Sequence, residues 1–368
     1  MRLQELLPAI GENSARWMLH ISTDMMNIWR KDFLSQLVAE NNFTLRHLQQ
    51  DFYTIEFSSA VNSRDLLNTV FPRWICPIIH QWPTSPHADI FVEKAAQGLL
   101  RKFGFSWEQL EIISTTAKLK RVVVGLKGRI LQLKTQAQLE NLEESEPVCR
   151  APEQQQPILA VLLDERGLFA GVVQNRMSMG SALSGGLGFL SQNNSENAQE
   201  RYQSPSRAGG KIREVLALLE ELKLTAKHFQ NWLELGAAPG GMTQHLLDWG
   251  ARVTAVDLAE MSAKVLKNPK LRHLKVHAQD VQSASGFDAL LCDMNGPYQL
   301  AAKYVANLAR TMASGSLVVF TLKLPDMHEA CDAIAQASKL FADSQASVIC
   351  TKHLFHNRQE VTIIAERN

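Results

Sequence analysis

The sequence predicts an α/β fold: a C-terminal half built on a mostly parallel sheet with an antiparallel final strand, preceded by a separate α+β region. Three observations predict it. NWLELG (231–236), ARVTAVDL (251–258), FDALLCDM (287–294), SLVVFTLKL (316–324) and VTIIAER (361–367) are short, apolar and mostly rich in β-branched residues. Such segments suit strands buried on both faces. Helix-like stretches such as QLAAKYVANLARTM (299–312) and MHEACDAIAQASKLFAD (327–343) separate most of them, and this alternation argues for parallel pairing. The first half mixes a helical pattern, ADIFVEKAAQGLLRKFGF (88–105), with strand-like RVVVGLKGRILQLK (121–134) and a hairpin, PILAVLLDERGLFAGVVQN (157–175), turning at Asp164–Gly167.

A length of 368 residues suggests two or three domains. The division falls at 1–184, then a Gly/Ser/Asn/Gln-rich loop or linker over 185–203, then 204–368. The acidic, Gln-rich stretch 140–157 connects the hairpin to the segment before it. The chain is 45% hydrophobic and 20% charged, which excludes a wholly disordered chain. With 38 basic and 37 acidic side chains, any nucleic-acid contact must rest on local patches. No apolar run approaches a membrane span. The N-terminus lacks a signal-peptide layout, and five widely spaced cysteines without a CxxC pair support neither a disulfide framework nor a zinc site. A cytoplasmic location and no metal are therefore expected.

ELGAAPGG (234–241) ends a predicted strand and opens a predicted helix, so Gly236, Ala237, Ala238, Pro239, Gly240 and Gly241 form a ligand-approaching turn. A dinucleotide fingerprint wants glycine where Ala238 stands, which disfavours a pyrophosphate cradle and a nicotinamide oxidoreductase. Asp257 follows Gly236 by 21 residues, at the end of the next strand, where a carboxylate accepts ribose hydroxyls. This suits a nucleoside without pyrophosphate, such as S-adenosylmethionine. Asp280, after the third expected strand (LKVHA), is the candidate for the adenine amine.

Four charged residues stand at element ends. Lys211 lies early in SPSRAGGKIREVLALLEEL, bordering the stripe Ile212, Val215, Leu216, Leu219 and Leu222, with Ser204 and Pro205 suited to start that helix. Asp293 and Lys323 each follow an apolar strand, at the carboxyl ends where α/β sheets bind ligands. Glu360 precedes the last strand, and an antiparallel strand brings it to the same edge.

SPSRAGGK (204–211), ELGAAPGG (234–241), CDM (292–294), TLKLP (321–325) and NRQEV (357–361), in this order, resemble the FtsJ-like ribose 2′-O-methyltransferases. Within them the chain is most similar to the bacterial enzymes that methylate a cytidine ribose of large-subunit (23S) ribosomal RNA. The resemblance covers roughly 204–368 well. In the first half it is weak, carried by PRWICPIIHQW (72–82) and GLFAGVVQNRMSMG (167–180). It implies a Rossmann-like class I S-adenosylmethionine methyltransferase domain, preceded by a THUMP-like RNA-binding region. It also implies a K-D-K-E catalytic tetrad at Lys211, Asp293, Lys323 and Glu360, with Asp293 also next to the cofactor.

The chemistry asks for these residue types. A ribose hydroxyl is a poor acid, and a neutral lysine can take its proton. Holding a lysine neutral at pH 7 costs roughly 4–5 kcal/mol unless a second lysine and desolvation lower its pKa. Lys323 is assigned as base, Lys211 as the like charge that helps hold the 2′-oxygen, Asp293 as the group orienting Lys323, and Glu360 as the group positioning Lys211 and the hydroxyl. For RNA, the stretch 118–134 holds six basic residues and no acid, so Lys118, Lys120, Arg121, Lys127 and Arg129 are candidate phosphate contacts, with Arg207 a weaker one. His353 and His356 are given structural or surface roles. The competing readings are a base or protein methyltransferase and a non-catalytic RNA-binding or ribosome-assembly factor that keeps the fold. CDMNGP (292–297) is not the loop an amino-methylating enzyme uses, and no Pro-Cys pair offers a cytosine-C5 nucleophile.

Overall fold

The computed structural model describes residues 13–37, 42–67, 69–87, 90–105, 107–141, 157–173, 206, 208–221, 224, 229–325 and 329–368. Arg207, Ser204, Pro205, Leu222, the 185–203 segment and most of the 140–157 connector lie outside them.

Three sheets carry the chain. The first contains β1 (Asn13–His20), β2 (Phe43–His47), β3 (Phe52–Asn62) and β4 (Trp74–Pro77) in the order β2-β3-β1-β4, all antiparallel. The second contains β5 (His80–Trp82), β6 (Gln109–Ser114), β7 (Ile158–Asp164) and β8 (Gly167–Val173) in the order β5-β8-β7-β6. Here β7 and β8 form the expected hairpin, closing at the pair Asp164–Gly167.

The expected strand over 121–134 is instead the interior of a helix, Lys120–Asn141. Leu119, Val123, Leu126 and Ile130 are buried at helical spacing in a cluster that also holds Phe91, Ala95 and Leu99 of the Phe91–Phe103 helix. The β-branched run VVV (122–124) favours extension locally, and packing overrides it.

The third sheet has seven strands: β9 (Asn231–Leu235), β10 (Arg252–Val256), β11 (Leu271–Leu274), β12 (Ala289–Cys292), β13 (Leu317–Lys323), β14 (Ala346–Lys352) and β15 (Glu360–Arg367). Their order is β11-β10-β9-β12-β13-β15-β14, with β15 antiparallel to both neighbours and the other pairs parallel. This is a mostly parallel α/β sheet with one antiparallel strand, β15, as expected. β9, β12, β13 and most of β15 are buried, as their unbroken apolar runs require. Two strands differ from expectation. The third parallel strand is LRHL, not LKVHA, because an edge strand can be half exposed and carry no apolar run. β14, an edge strand of mixed burial, was not anticipated at all.

The first sheet is fused to the third. Trp17, Ile55 and Phe71 share one buried cluster with Ile212, Phe320 and Phe341. The Lys352 ammonium donates to the Leu67 carbonyl and, at 3.1 Å, to that of Thr69. The His353 amide donates to Val70 O at 2.9 Å. Cutting away residues 1–175 would therefore open the core of the large sheet, so point substitutions are the cleaner probe. Among the described residues no helix is long and apolar enough to cross a membrane.

Candidate active site

The site lies at the carboxyl ends of β9, β10, β12 and β13. Gly236, at φ +76°, turns the chain out of β9, and a methyl group there would meet Met294 at 3.0 Å. Asp257, at the end of β10, ties this turn to its own strand. One carboxylate oxygen accepts the Ala238 amide and the other the Ala259 amide, both at 2.9 Å. Each oxygen keeps a further lone pair for a ligand hydroxyl.

A cavity of about 510 Å³ opens here. Gly236, Ala237, Ala238, Pro239, Gly241 and Asp257 line it, together with Glu234 and Asp293. Asp280 does not: it is exposed, two residues beyond Ala278, and the wall on that side is Val276, His277 and Ala278. The displaced third strand explains this, because the chain leaves the sheet at Leu274. Gly240 is absent from the lining and instead caps the next helix at φ +102°. Among the described residues the lining holds the carboxylates Asp257 and Asp293, the largely protonated Glu234, and neither lysine nor arginine, which suits a cationic nucleoside. S-Adenosylmethionine, with its sulfonium and ammonium, fits that donor set: Asp257 would hold the ribose hydroxyls, and Glu234 and Asp293 would face the positive end.

Glu234 was not anticipated. Its side chain is fully buried and accepts the Thr243 hydroxyl at 2.7 Å. Desolvation pushes its carboxyl up to about 8, the Thr243 bond opposing and Asp293 and Asp257 adding to the rise. The signal available in the sequence was an acid inside an otherwise apolar strand, NWLEL.

Asp293 joins this cavity to the four-residue cluster. Lys211 Nζ donates to both Asp293 oxygens at 3.1 Å and stands 2.5 Å from Glu360 Oε1. Lys323 Nζ donates to Asp293 Oδ1 at 2.6 Å and to Glu360 Oε2 at 2.5 Å. The four charges form a closed ring of alternating sign. The β13–β15 register, which pairs Lys323 with Glu360, brings the acid to this edge. Lys211 arrives from the Gly209–Glu221 helix, whose first turn is wedged between two histidine rings. A methyl group on Gly209 would lie 2.4 Å from the His245 ring, and one on Gly210 would lie 2.3 Å from the His356 ring. Side chains on Lys211, Asp293 and Glu360 are 10%, 11% and 9% exposed, against 25% for Lys323, so Lys323 is the one turned toward an incoming substrate.

The ring corrects the expected electrostatics. Burial lowers the Lys323 ammonium, but Asp293 and Glu360 outweigh it, and the net shift is upward. Each carboxylate touches both lysines, so neither lysine faces the other without an intervening acid, and like-charge depression does not dominate. Cys292 is buried with its thiol pushed up to about 12 by desolvation, an inert core position. Of the basic candidates, Lys118, Lys120 and Arg121 are exposed at the start of the Lys120–Asn141 helix. Arg129 is held by Glu93 at 2.6 Å, and half-buried Lys127 lies near Glu111. His353 is buried, and desolvation lowers its pKa to about 3.

Residues 205–351 match the sequence model of the FtsJ-like methyltransferases. Over these residues the chain is similar to the FtsJ-like methyltransferases. Curated relatives include Ribosomal RNA large subunit methyltransferase M of Thauera aminoaromatica, 33% identical over 168 residues, covering 43% of this chain and 45% of that protein. The protein of the same description from Hahella chejuensis is 30% identical over 174 residues, covering 45% and 44%. The chain thus spans about half the length of the curated relatives it matches. Among solved structures, TrmN from Thermus thermophilus aligns over 96% of this chain and all of its own, at 12% identity and a TM-score of 0.35.

The Asp257 geometry gives a direct prediction. Asp257→Ala removes the acceptor for two backbone amides and for the ligand hydroxyls, and should weaken S-adenosylmethionine binding by about 1–3 kcal/mol. Titration calorimetry showing unchanged affinity would refute this placement.

Proposed function

We propose that the protein is an S-adenosylmethionine-dependent RNA methyltransferase acting on a ribose 2′-oxygen, with a cytidine of 23S ribosomal RNA as the target the relatives suggest. The observation that carries this reading is the alternating Lys211–Asp293–Lys323–Glu360 ring opening onto a cavity whose described lining includes Glu234, Asp257 and Asp293. S-Adenosylmethionine supplies an activated methyl group, which the 2′-oxygen takes as the carbon–sulfur bond breaks and the pair passes to sulfur. Lys323, the most exposed member, receives the hydroxyl proton in its neutral form and returns it to water. Glu360 and Asp293 hold Lys323 in place, and Lys211 anchors both acids from behind. The raised pKa of Lys323 makes the neutral form scarce near pH 7. Alignment therefore supplies much of the rate, because the donor is already activated.

In this reading residues 1–184 capture RNA and the exposed Lys118, Lys120 and Arg121 contact phosphates. Reversing these three charges should weaken RNA binding and flatten its dependence on salt, since fewer counterions are released. Filter binding between low and moderate salt checks this, and an undiminished slope moves the RNA path elsewhere. The reading as a whole is tested by whether the protein with labelled cofactor methylates unmodified 23S RNA on ribose.

A further inference from the structure

Glu214 is only 2% exposed and carries no part of the chemistry above. It follows Lys211 by three residues on the Gly209–Glu221 helix, a spacing that places the two on neighbouring positions of one face. Its carboxylate accepts the Phe355 amide at 2.9 Å, the His356 amide at 3.0 Å, and the Nδ1 proton of His356. A carboxylate only accepts, so this contact assigns the imidazole proton to Nδ1. The same imidazole lies flat against the helix start, where Gly210 leaves no room for a Cβ. Lys211 is the next residue. Four residues after His356 comes Glu360, the acid that receives both lysines.

The segment between them is held from its other side as well. Arg73 donates to Asn357 O at 3.2 Å, stands 5.3 Å from the Phe355 ring centre, and is itself paired with Asp51 at 3.2 Å. Asn357 is buried and bonds Thr362 at 3.3 Å. One ring therefore touches the first turn that delivers Lys211 and belongs to the loop that delivers Glu360.

We propose that His356, clamped by Glu214, is a positioning residue. Its imidazole sets the spacing between the helix start carrying Lys211 and the loop carrying Glu360, and so the shape of the charge ring. It does not contact the reacting atoms. The inference rests on the methyl-transfer reading for its kinetic consequence, whereas the clamp itself is independent of it.

Two substitutions separate the ring's roles. His356→Phe keeps a flat ring and removes the Nδ1 donor, while His356→Asn restores a donor near that position. The full-length protein is assayed with S-adenosylmethionine and an unmodified 23S RNA transcript. His356→Phe should lower the single-turnover rate at least about tenfold, as small misplacements do, while cofactor affinity and the RNA KM stay within about twofold. His356→Asn should recover most of the rate. Hydrogen exchange at the Phe355 and His356 amides should quicken in His356→Phe and return toward wild type in His356→Asn. Unchanged rate and exchange in His356→Phe would overturn the proposal, as would a rate loss matched by lost cofactor binding. If the wild type transfers no methyl to RNA, the proposed function fails, and the exchange result alone decides the clamp.

Discussion

Replacing Lys323 by methionine is expected to lower the single-turnover rate of methyl transfer by about 10²–10⁴, the usual range for loss of a general base. Methionine keeps the length of the side chain and removes the titrating amine. Cofactor affinity should remain nearly intact, because Lys323 does not line the nucleoside cavity. The pH profile sharpens the prediction. Asp293 and Glu360 hold the Lys323 ammonium above its ordinary range despite burial. The neutral form therefore grows tenfold per pH unit through the neutral and alkaline range. Wild-type turnover should climb over that range without levelling near neutrality, and the methionine variant should lose the climb. A variant with near-normal rates and the wild-type profile would mean that alignment alone drives transfer and that water takes the proton.

The second large effect concerns stability. Glu234 carries a folded-state pKa of about 8 against an ordinary 4.5. Between these values the folded protein keeps a proton that the unfolded chain has released. The folded state binds more protons there, so stability falls as pH rises from about 4.5 to 8 and levels beyond. Glu234→Gln keeps an oxygen to accept the Thr243 hydroxyl and has no charge to desolvate. Below about pH 4, where Glu234 is protonated in both states, its melting temperature should match that of wild type. At pH 8 and above it should be the more stable protein, by about 3–5 kcal/mol if the whole shift is expressed. A stability difference that stays flat from pH 5 to 9 would show that Glu234 ionises without penalty. The same proton gives a binding signature, because a cation arriving beside Glu234 favours its charged form. S-Adenosylmethionine binding near pH 7 should release a proton, read as a heat that varies with the ionisation enthalpy of the buffer.

What the sequence made legible follows from how each signal arises. The central strands β9, β12, β13 and β15 announced themselves because burial on both faces demands unbroken apolar runs. The edge strands escaped for the same reason: half-exposed LRHL and ASVICTK need no such run. The Lys120–Asn141 helix is not legible locally, because its β-branched run VVV (122–124) favours extension and only packing against the Phe91–Phe103 helix decides otherwise. Lys211, Asp293, Lys323 and Glu360 were found through their places at element ends and through resemblance. Their alternation was not legible, because it depends on the β13–β15 register and on the angle of one helix. That alternation reversed the expected direction of the Lys323 shift. Glu214 gave no signal, since its partners lie more than 140 residues away.

The most direct test of the central claim is chemical. The protein is incubated with unmodified 23S RNA and S-adenosylmethionine labelled in its methyl group, and the RNA is hydrolysed in alkali. A 2′-O-methyl group blocks cleavage of its own phosphodiester, so the account predicts that the label appears in an alkali-resistant dinucleotide, absent with Lys323→Met. Label recovered in ordinary mononucleotides would place the methyl on a base and contradict the account. So would an unlabelled RNA from a protein that still binds the cofactor.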